Sequence, residues 1–294
     1  MNSKFAATIG NFDGVHLGHQ ELIGKIKQAA KKNNLKTKVI TFNPYPFEFF
    51  QWKKKRILSE FDKNKFLNNL EIDKVQSIEF NESFRNQTPK EFFINSIVKE
   101  NIKFLIIGKD FKFGKDRSGD IRLLNELCNS NDIELNILDD YKKDDCKVSS
   151  TLVRELLAKS DFMEASKFLG RPYAISGYVI KGKSLGRRLS TPTANIDIDN
   201  VEFCFNGVFL GRINIKNKSF FCIVNFGPKP TFDEYRQSLE AHILDFEENI
   251  YDEALSIEFL CKIRDQIKFN SVEELKIQIN DDKKNASELI KSYE

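Results

Sequence analysis

The sequence has little charge imbalance and few cysteines. Its 46 lysines and arginines nearly balance 43 aspartates and glutamates across 294 residues, and no run of like charge is longer than four residues. The global electrostatic footprint of a nucleic-acid-binding protein is therefore missing, and any recognition of anions must be local. The five cysteines are scattered and contain no C-x-x-C, which argues against a disulfide framework or a zinc ribbon and fits a reducing cytoplasm.

Long apolar runs are also missing. The most apolar run, residues 104–107, is far shorter than the ~18 residues that indicate a membrane span, and the N-terminus has no long apolar segment typical of a signal peptide. We therefore expect a soluble, cytoplasmic protein that binds neither membranes nor nucleic acids, while its self-association stays open. The length predicts two domains, since one domain usually has about 100–200 residues.

The N-terminal part alternates short apolar runs with segments of helical period, up to about Leu169. This alternation is typical of a parallel sheet flanked by helices. The predicted strands cover residues 5–9, 38–42, 75–80, 104–107 and 133–138. We assign residues 1–170 to an α/β domain with a doubly wound parallel sheet.

The pattern changes after Gly170-Arg171-Pro172. Strand-like segments separated by turn residues predict a small antiparallel β-barrel in residues 171–294, with strands at 174–180, 207–215, 220–225, 239–246 and 254–263. A terminal helix is expected to begin at Ser271, which forms a capping box with Glu274, and to pack on the barrel.

One turn, between the first predicted strand and the first helix, has a composition suited to binding phosphate. Ligands of open α/β sheets bind beyond the carboxyl ends of strands, where the next helix offers free N–H groups. Glycines let the backbone approach closely, and imidazoles can donate to a phosphate. Histidines that merely cap the helix are the alternative, and zinc is less favoured because no third ligand lies nearby in sequence. The candidate residues are Gly10, Phe12, Asp13, Gly14, His16, Gly18 and His19.

Two further segments have similar compositions. Residues 108–120 follow a predicted strand and are rich in glycine and positive charge, although a solvated loop would look the same; the candidates there are Asp110, Phe113 and Gly114. The other segment combines hydroxyl donors with a guanidinium at a predicted helix start, which suits polyphosphate oxygens. Alone, it would be interpreted as an ordinary helix cap. Its residues are Ser149, Ser150, Thr151 and Arg154.

In combination, G-N-F-D-G-V-H-x-G-H, I-G-x-D-F-x-F-G and S-S-T-x-V-R closely resemble the adenylyltransferase module of prokaryotic FAD synthetases, which are H-x-G-H nucleotidyltransferases. The resemblance implies that the FMN phosphate attacks the α-phosphorus of ATP directly and releases pyrophosphate. It also implies that His16 and His19 stabilise the transferring phosphate and that Asp110 lies near flavin and nucleotide. The residues implied to hold the triphosphate are Ser149, Thr151 and Arg154.

Residues 177–184 satisfy the P-loop expression G-x-x-x-x-G-K-[ST], but the context argues against a P-loop. A true P-loop connects a strand to a helix. Here residues 178–180 are predicted to be the strand itself, and Pro192 prevents a long helix afterwards. The loop that follows can still cover phosphates through its glycines and cations, with Gly182, Gly186 and Arg187 as candidates.

Two other segments of the C-terminal half suggest chemistry. Thr193 and Asn195 of P-T-A-N alternate on a predicted strand and so face the same way, as two hard oxygen ligands suited to Mg²⁺. Alone, the tetrapeptide is equally consistent with a turn into a strand. Glu240 and His242 share one face of another alternating strand, where a carboxylate is usually only exposed to solvent.

The set G-x-x-x-G-R, P-T-A-N, N-x-G-x-x-P-T-F, E-x-H-x-L-D-F and F-L-x-K-I-R-x-x-x-K-F-x-S resembles riboflavin kinase. This resemblance implies that Thr193 and Asn195 coordinate Mg²⁺ and that Glu240 is the general base for attack of the ribityl hydroxyl on ATP. It also implies a substrate-binding loop that contains Asn225, Gly227, Pro230 and Thr231. The chain departs from the family at Ser190-Thr191, where Gly-Phe is more frequent, and at Asp252, where Gly is usual.

With both modules in one chain, the sequence resembles the bifunctional riboflavin kinase/FMN adenylyltransferases, with ATP, riboflavin, FMN and FAD as substrates or products. Two alternatives stay open. A single-activity nucleotidyltransferase acting on a cytidine or pantetheine substrate would use the barrel as an accessory, but the kinase-type motifs count against it. A nucleic-acid-binding barrel is disfavoured by the near-neutral charge.

Overall fold

The computed structural model describes residues 3–182, 191–199, 201–216, 218–229 and 234–294. Contacts divide the chain into two compact units. The first contains Met1–Lys54 and Lys63–Ser150, and the second contains Lys55–Asp62 and Thr151–Glu294.

The first unit contains a five-stranded parallel sheet, which confirms the predicted doubly wound sheet. Its strand order β3-β2-β1-β4-β5 places β1 at the centre, and the order reverses between β1 and β4. In sheets of this kind, ligands bind at the carboxyl ends of the strands beside such a reversal. The strands are β1 (Phe5–Ile9), β2 (Lys36–Asn43), β3 (Lys74–Glu79), β4 (Ile102–Gly108) and β5 (Glu134–Leu138).

Helices connect these strands. Thr88 and Glu91 form a capping box at the helix Pro89–Phe93, which continues as a π-helical turn, Ile94–Val98. A two-stranded hairpin, β6 (Lys142–Lys143) with β7 (Cys146–Lys147), follows β5. The helices are α1 (Leu17–Asn33), α2 (Pro46–Phe49), α3 (Glu60–Asn69), α4 (Glu82–Arg85), α5 (Pro89–Phe93) and α6 (Ile121–Asn129).

The second unit contains a closed antiparallel barrel, as predicted, with strand order β10-β11-β12-β9-β8-β13. Apolar side chains alternate inward along its strands, for example Leu239, Ala241 and Ile243 on β12. The strands are β8 (Ala174–Ile180), β9 (Ala194–Ile196), β10 (Gly207–Ile215), β11 (Lys218–Lys229), β12 (Glu234–Ile243) and β13 (Ala254–Arg264).

Three further helices are α7 (Ser150–Ala158), α8 (Phe162–Leu169) and α9 (Val272–Ile290). The buried Phe162 of α8 lies parallel to Tyr173, with ring centroids 6.0 Å apart, and packs edge-on against Phe209. The terminal helix α9 begins as predicted, because Ser271 Oγ accepts a hydrogen bond from the Glu274 amide.

Residues 55–62, which we call the strap, also belong to the second unit. The Tyr173 hydroxyl donates to the Ile57 carbonyl at 2.9 Å, and the Ser176 amide donates to the buried Asp62 carboxylate at 2.9 Å. The boundary predicted at residue 170 assigns the strap, α7 and α8 to the first domain. Contacts assign the strap, α8 and α7 from Thr151 onward to the barrel unit.

Candidate active sites

The turn after β1 has an unusual backbone. Phe12, Gly14 and Val15 have φ values of 53°, 91° and 42°, all in the left-handed region. Glycine adopts this conformation freely, whereas a β-branched residue such as Val15 is strained there, and such strain clusters at functional sites. The Thr41 hydroxyl of β2 donates to the Asn11 carbonyl at 3.0 Å and holds the turn against the sheet.

The two histidines of this turn stack on each other. Their ring centroids lie 3.6 Å apart with 15° between the planes, and His16 Nδ1 accepts a hydrogen bond from the His19 amide at 3.3 Å. Because His16 Nδ1 is an acceptor, the proton of its neutral ring lies on Nε2, which is then a donor. A Cβ at Gly18 would lie 3.2 Å from His16 Cε1, so glycine leaves room for the ring.

The segment of small hydroxyl residues reaches the same turn. Ser150 Oγ donates to the carbonyl of the buried Asp13 at 2.7 Å, and Ser149 precedes it in the chain. Thr151 and Arg154 lie on the part of α7 that contacts assign to the second unit, where Arg154 Nε donates to the Lys55 carbonyl at 2.9 Å. The triphosphate role of these two residues stays a prediction.

The loop after β4 is shaped by close packing. Phe113 and Gly119 exchange backbone hydrogen bonds of 3.1 and 2.9 Å. A Cβ at Gly119 would lie 2.8 Å from the Phe113 ring, and one at Gly114, where φ is 71°, would lie 2.7 Å from the Pro89 nitrogen. Both glycines are therefore required by the loop.

Charges are paired across this edge of the sheet. Lys147 Nζ lies 2.9 Å from Asp110 Oδ2 and 2.9 Å from Asp140 Oδ1. Hydrogen bonds to Asp140 and Asp110 raise the pKa of Lys147, so its ammonium stays protonated at neutral pH. Asp110, predicted to lie near the nucleotide, is thus held by a cation on the hairpin after β5.

The sequence analysis missed a cluster of aromatic rings after β2. Phe50 and Trp52 stack with centroids 5.6 Å apart, and their side chains are 37% and 50% exposed. The Arg85 guanidinium lies 5.1 Å from the Phe50 ring centroid. The density of phenylalanines between residues 42 and 52 was a usable signal for this surface, which follows the carboxyl end of β2.

In the barrel unit, three polar residues form a row across adjacent strands. Asn195 on β9 pairs with Glu240 on β12, and Glu240 pairs in turn with Asn225 on β11. Their neighbours along the strands, including Leu239 and Phe226, are buried in the barrel. The row therefore lies on the outer face, with neighbouring strands about 4.7–4.9 Å apart.

One glycine packs directly against this row, and a second packs against Gln266, a residue that bonds to the row. A Cβ at Gly182 would overlap the Asn195 amide, and one at Gly227, where φ is 138°, would lie 2.7 Å from Gln266 Oε1. The Gln266 amide donates to Asn225 Oδ1 at 3.2 Å. Gln266 follows β13 in the chain, and no sequence signal pointed to it.

The segment before β9 is held by a histidine. His242 shares its face of β12 with Glu240, and its Nδ1 lies 2.9 Å from the Pro192 carbonyl. Burial lowers the pKa of His242, with a smaller contribution from Lys283, so the ring is neutral at pH 7. Since a carbonyl only accepts, the neutral ring donates from Nδ1.

The false P-loop begins in a strand, as predicted, because β8 contains residues 178–180. Its Lys183 and Ser184 lie outside the described residues, as do the predicted site residues Gly186, Arg187, Pro230 and Thr231.

Comparisons with known proteins match the two halves of the chain to two different families. Residues 1–152 match the family model described as FAD synthetase, and residues 169–290 match the model described as riboflavin kinase. The two folds and the two family matches thus define an enzyme of flavin cofactor synthesis. The single-activity and nucleic-acid-binding alternatives are not favoured, since both models match.

Relatives extend over nearly the whole chain. A bifunctional riboflavin kinase/FMN adenylyltransferase from Buchnera aphidicola is 41% identical over 302 residues, covering 100% of this chain and 95% of the relative. One from Haemophilus influenzae is 37% identical, covering 98% and 94%. The chain belongs to the bifunctional riboflavin kinase/FMN adenylyltransferase family: it phosphorylates riboflavin to FMN and adenylylates FMN to FAD.

One solved structure, described as a macrolide-efflux protein from Streptococcus pneumoniae, is also similar. It has a TM-score of 0.77 and 29% identity, and the match covers 98% of this chain and 97% of the other. Within the described residues of the present chain, no helix has the length and apolar character needed to cross a membrane.

Proposed function

We propose that adenylylation takes place at the turn after β1 and phosphorylation at the Asn195–Glu240–Asn225 row. The strand register of the barrel is the observation that supports the assignment of phosphorylation to this row. It pairs the predicted base, Glu240, directly with the predicted metal ligand, Asn195, on the outer face of the barrel. These residues are 45 positions apart in sequence, so folding, and not local composition, brings them together.

For adenylylation, the stacked histidines and the N-terminus of α1 act as donors. An oxygen of the FMN phosphate bonds to the α-phosphorus of ATP, the bond from this phosphorus to the bridging oxygen breaks, and pyrophosphate leaves. His16 and His19 stabilise the negative charge that develops on the transferring phosphate. No covalent enzyme intermediate is required, because positioning and charge neutralisation supply most of the catalysis of phosphoryl transfer.

The exposed aromatic rings after β2 offer a surface for the flavin. Phe50 and Trp52 present flat apolar faces beyond the carboxyl end of a strand next to β1. An isoalloxazine ring can stack on such faces, and aromatic pairs contribute about 0.5–1.5 kcal/mol beyond the area that they bury. We assign this surface to the ring system of FMN.

For phosphorylation, the oxygen donors of the barrel fit a magnesium ion. Thr193 would provide a hydroxyl and Asn195 an amide oxygen as metal ligands, and the neighbouring carboxylate of Glu240 is left for proton transfer. Among the described residues, no group of three or more His, Cys, Asp or Glu side chains is arranged to hold a metal. A sparse set of hard oxygens suits Mg²⁺, which keeps several waters and neutralises ATP phosphates when bound.

Glu240 then acts as the general base. As the ribityl 5′-oxygen bonds to the γ-phosphorus and ADP leaves, the carboxylate accepts the hydroxyl proton. Full deprotonation before attack is unfavourable, because a carboxylate is a far weaker base than an alkoxide. The carboxylate instead orients the hydroxyl and takes its proton in the transition state.

The test is Glu240→Gln, which keeps the shape of the side chain and removes its basicity. Riboflavin phosphorylation should fall by about 10²–10⁴-fold, the usual contribution of general base catalysis, while adenylylation of supplied FMN persists. Chromatography of riboflavin, FMN and FAD measures both steps. The matched control is Glu247→Gln, an exposed glutamate beyond β12. If Glu240→Gln phosphorylates riboflavin at the wild-type rate, the base lies elsewhere.

A further inference from the structure

The short segment that carries the predicted metal ligands is held by a second side chain besides His242. Lys283 Nζ donates to Thr191 Oγ1 at 3.1 Å. Thr191 is only 7% exposed, so this contact is shielded from water. Thr191 lies two residues before Thr193 and four before Asn195 in the chain. The segment is therefore connected to β12 through His242 and to α9 through Lys283.

The position of Lys283 is fixed by the docking of its helix. The adjacent Asp282 is 4% exposed, and its two carboxylate oxygens each lie 2.8 Å from a nitrogen of Arg264, at the end of β13. Gln278 Nε2 also donates to Asp282 Oδ1 at 3.0 Å. A bidentate pair of this kind fixes geometry as well as adding energy. The ammonium of Lys283 therefore extends from α9, a helix that the Asp282–Arg264 pair holds against β13.

The contact between Lys283 and Thr191 depends on the hydroxyl of Thr191, because a side chain without an oxygen at this position could not accept a hydrogen bond from Lys283.

We propose that Lys283 and Thr191 form a polar tether that positions the Thr193–Asn195 segment for metal binding. The proposal rests on the kinase site assigned above. Neither residue touches the reacting atoms, so both are positioning residues. Ligand orientation depends on such supporting contacts, whose removal typically weakens metal affinity or activity about 10–100-fold.

The experiment compares Thr191→Val, which removes the hydroxyl at nearly constant shape, with Lys283→Met, which keeps length and removes the donor. Affinity for Mn²⁺ in the presence of ADP is measured by electron paramagnetic resonance, and the Mg²⁺ dependence of riboflavin phosphorylation is measured in parallel. Each variant should bind Mn²⁺ about 10-fold or more weakly, and the double variant no more weakly than the singles. Turnover at saturating Mg²⁺ should change little.

Two further variants separate positioning from general stability. Lys283→Arg keeps a donor and should restore most of the Mn²⁺ affinity. Lys284→Met, at an exposed neighbour on the same helix with 77% of its side chain accessible, should bind Mn²⁺ like the wild type. Amide hydrogen exchange at residues 194–196 should be faster in Thr191→Val, because the tether no longer restrains the start of β9.

Wild-type Mn²⁺ affinity in Lys283→Met, or losses that multiply in the double variant, would overturn the tether. The tether would also be overturned if the wild-type protein bound no Mn²⁺ in the presence of ADP. A wild-type protein that binds Mn²⁺ and ADP but does not phosphorylate riboflavin would instead refute the kinase site, and the Mn²⁺ affinities of the variants would still decide the tether.

Discussion

The two units assemble their candidate sites from different parts of regular structure. In the first unit, the site lies in turns beyond the ends of parallel strands, and its geometry depends on backbone conformations such as the left-handed Gly14. In the second, the site lies on the outer face of antiparallel strands, and its groups are the side chains of Asn195, Glu240 and Asn225.

Because of this difference, the two sites should be sensitive to different kinds of substitution. Strand ends present backbone N–H groups and a helix dipole to phosphate, so their chemistry is lost when a glycine cannot adopt its turn. A strand face presents only side chains, so its chemistry is lost when one oxygen or carboxylate is replaced. The barrel site should therefore respond more sharply to isosteric side-chain changes.

A large loss of activity that is confined to the first unit is expected at the histidine pair. Replacing His16 and His19 by alanine removes the donors that we propose for the transferring phosphate, and FMN adenylylation should fall by about 10²–10³-fold, the usual loss for such donors. Phosphorylation of riboflavin should be retained, because Glu240 and Asn195 belong to the other unit. Product chromatography from riboflavin would then show FMN accumulating without FAD.

The matched control is Lys25→Met on the exposed face of α1, where the lysine forms a surface ion pair with Glu21. It should leave both activities unchanged, since such pairs contribute little. Loss of both activities in a folded His16→Ala/His19→Ala variant would contradict the separation of the sites.

The two units also differ in how they use the chain, because the second unit includes the strap. The first unit is built around one sheet, whereas the second takes residues 55–62 from the middle of the N-terminal sequence. Asp62 is fully buried and accepts hydrogen bonds from the Ser176 amide and from Ser59. Burial lowers the pKa of Arg171 to about 10, a shift opposed by the Asp62 carboxylate, so the guanidinium stays charged at neutral pH.

A smaller effect, on the stability of the barrel unit, is expected when the buried carboxylate of the strap is removed. Asp62→Ala leaves the buried Arg171 charge without its carboxylate, and the barrel unit should lose about 3 kcal/mol of its free energy of unfolding. Hydrogen exchange resolved by residue measures the loss in β8, with Glu71→Ala, at an exposed glutamate, as control. Destabilisation confined to β1–β5, with β8 protected as in the wild type, would show that the strap does not stabilise the barrel.

The sequence predicted the sheet, the barrel and the terminal helix because strand periodicity and capping are local signals. It identified the turn from Gly10 to His19 for the same reason. It missed Gln266, the strap and the tether between Lys283 and Thr191, because those contacts join residues far apart in the chain and of ordinary type. The placement of α8 is a similar case, since an amphipathic helix does not reveal which core its apolar face will join.

The central claim is that each unit performs one complete reaction. The most direct test is to mix two variants, each of which has lost one of the two activities. The His16→Ala/His19→Ala variant and the Glu240→Gln variant are each incubated with riboflavin, ATP and Mg²⁺, alone and together, and FAD is followed by chromatography. Independent sites predict that neither variant alone makes FAD at an appreciable rate, whereas the mixture does, with free FMN appearing first. A mixture that makes no FAD, although each variant retains its other activity, would contradict two self-sufficient sites.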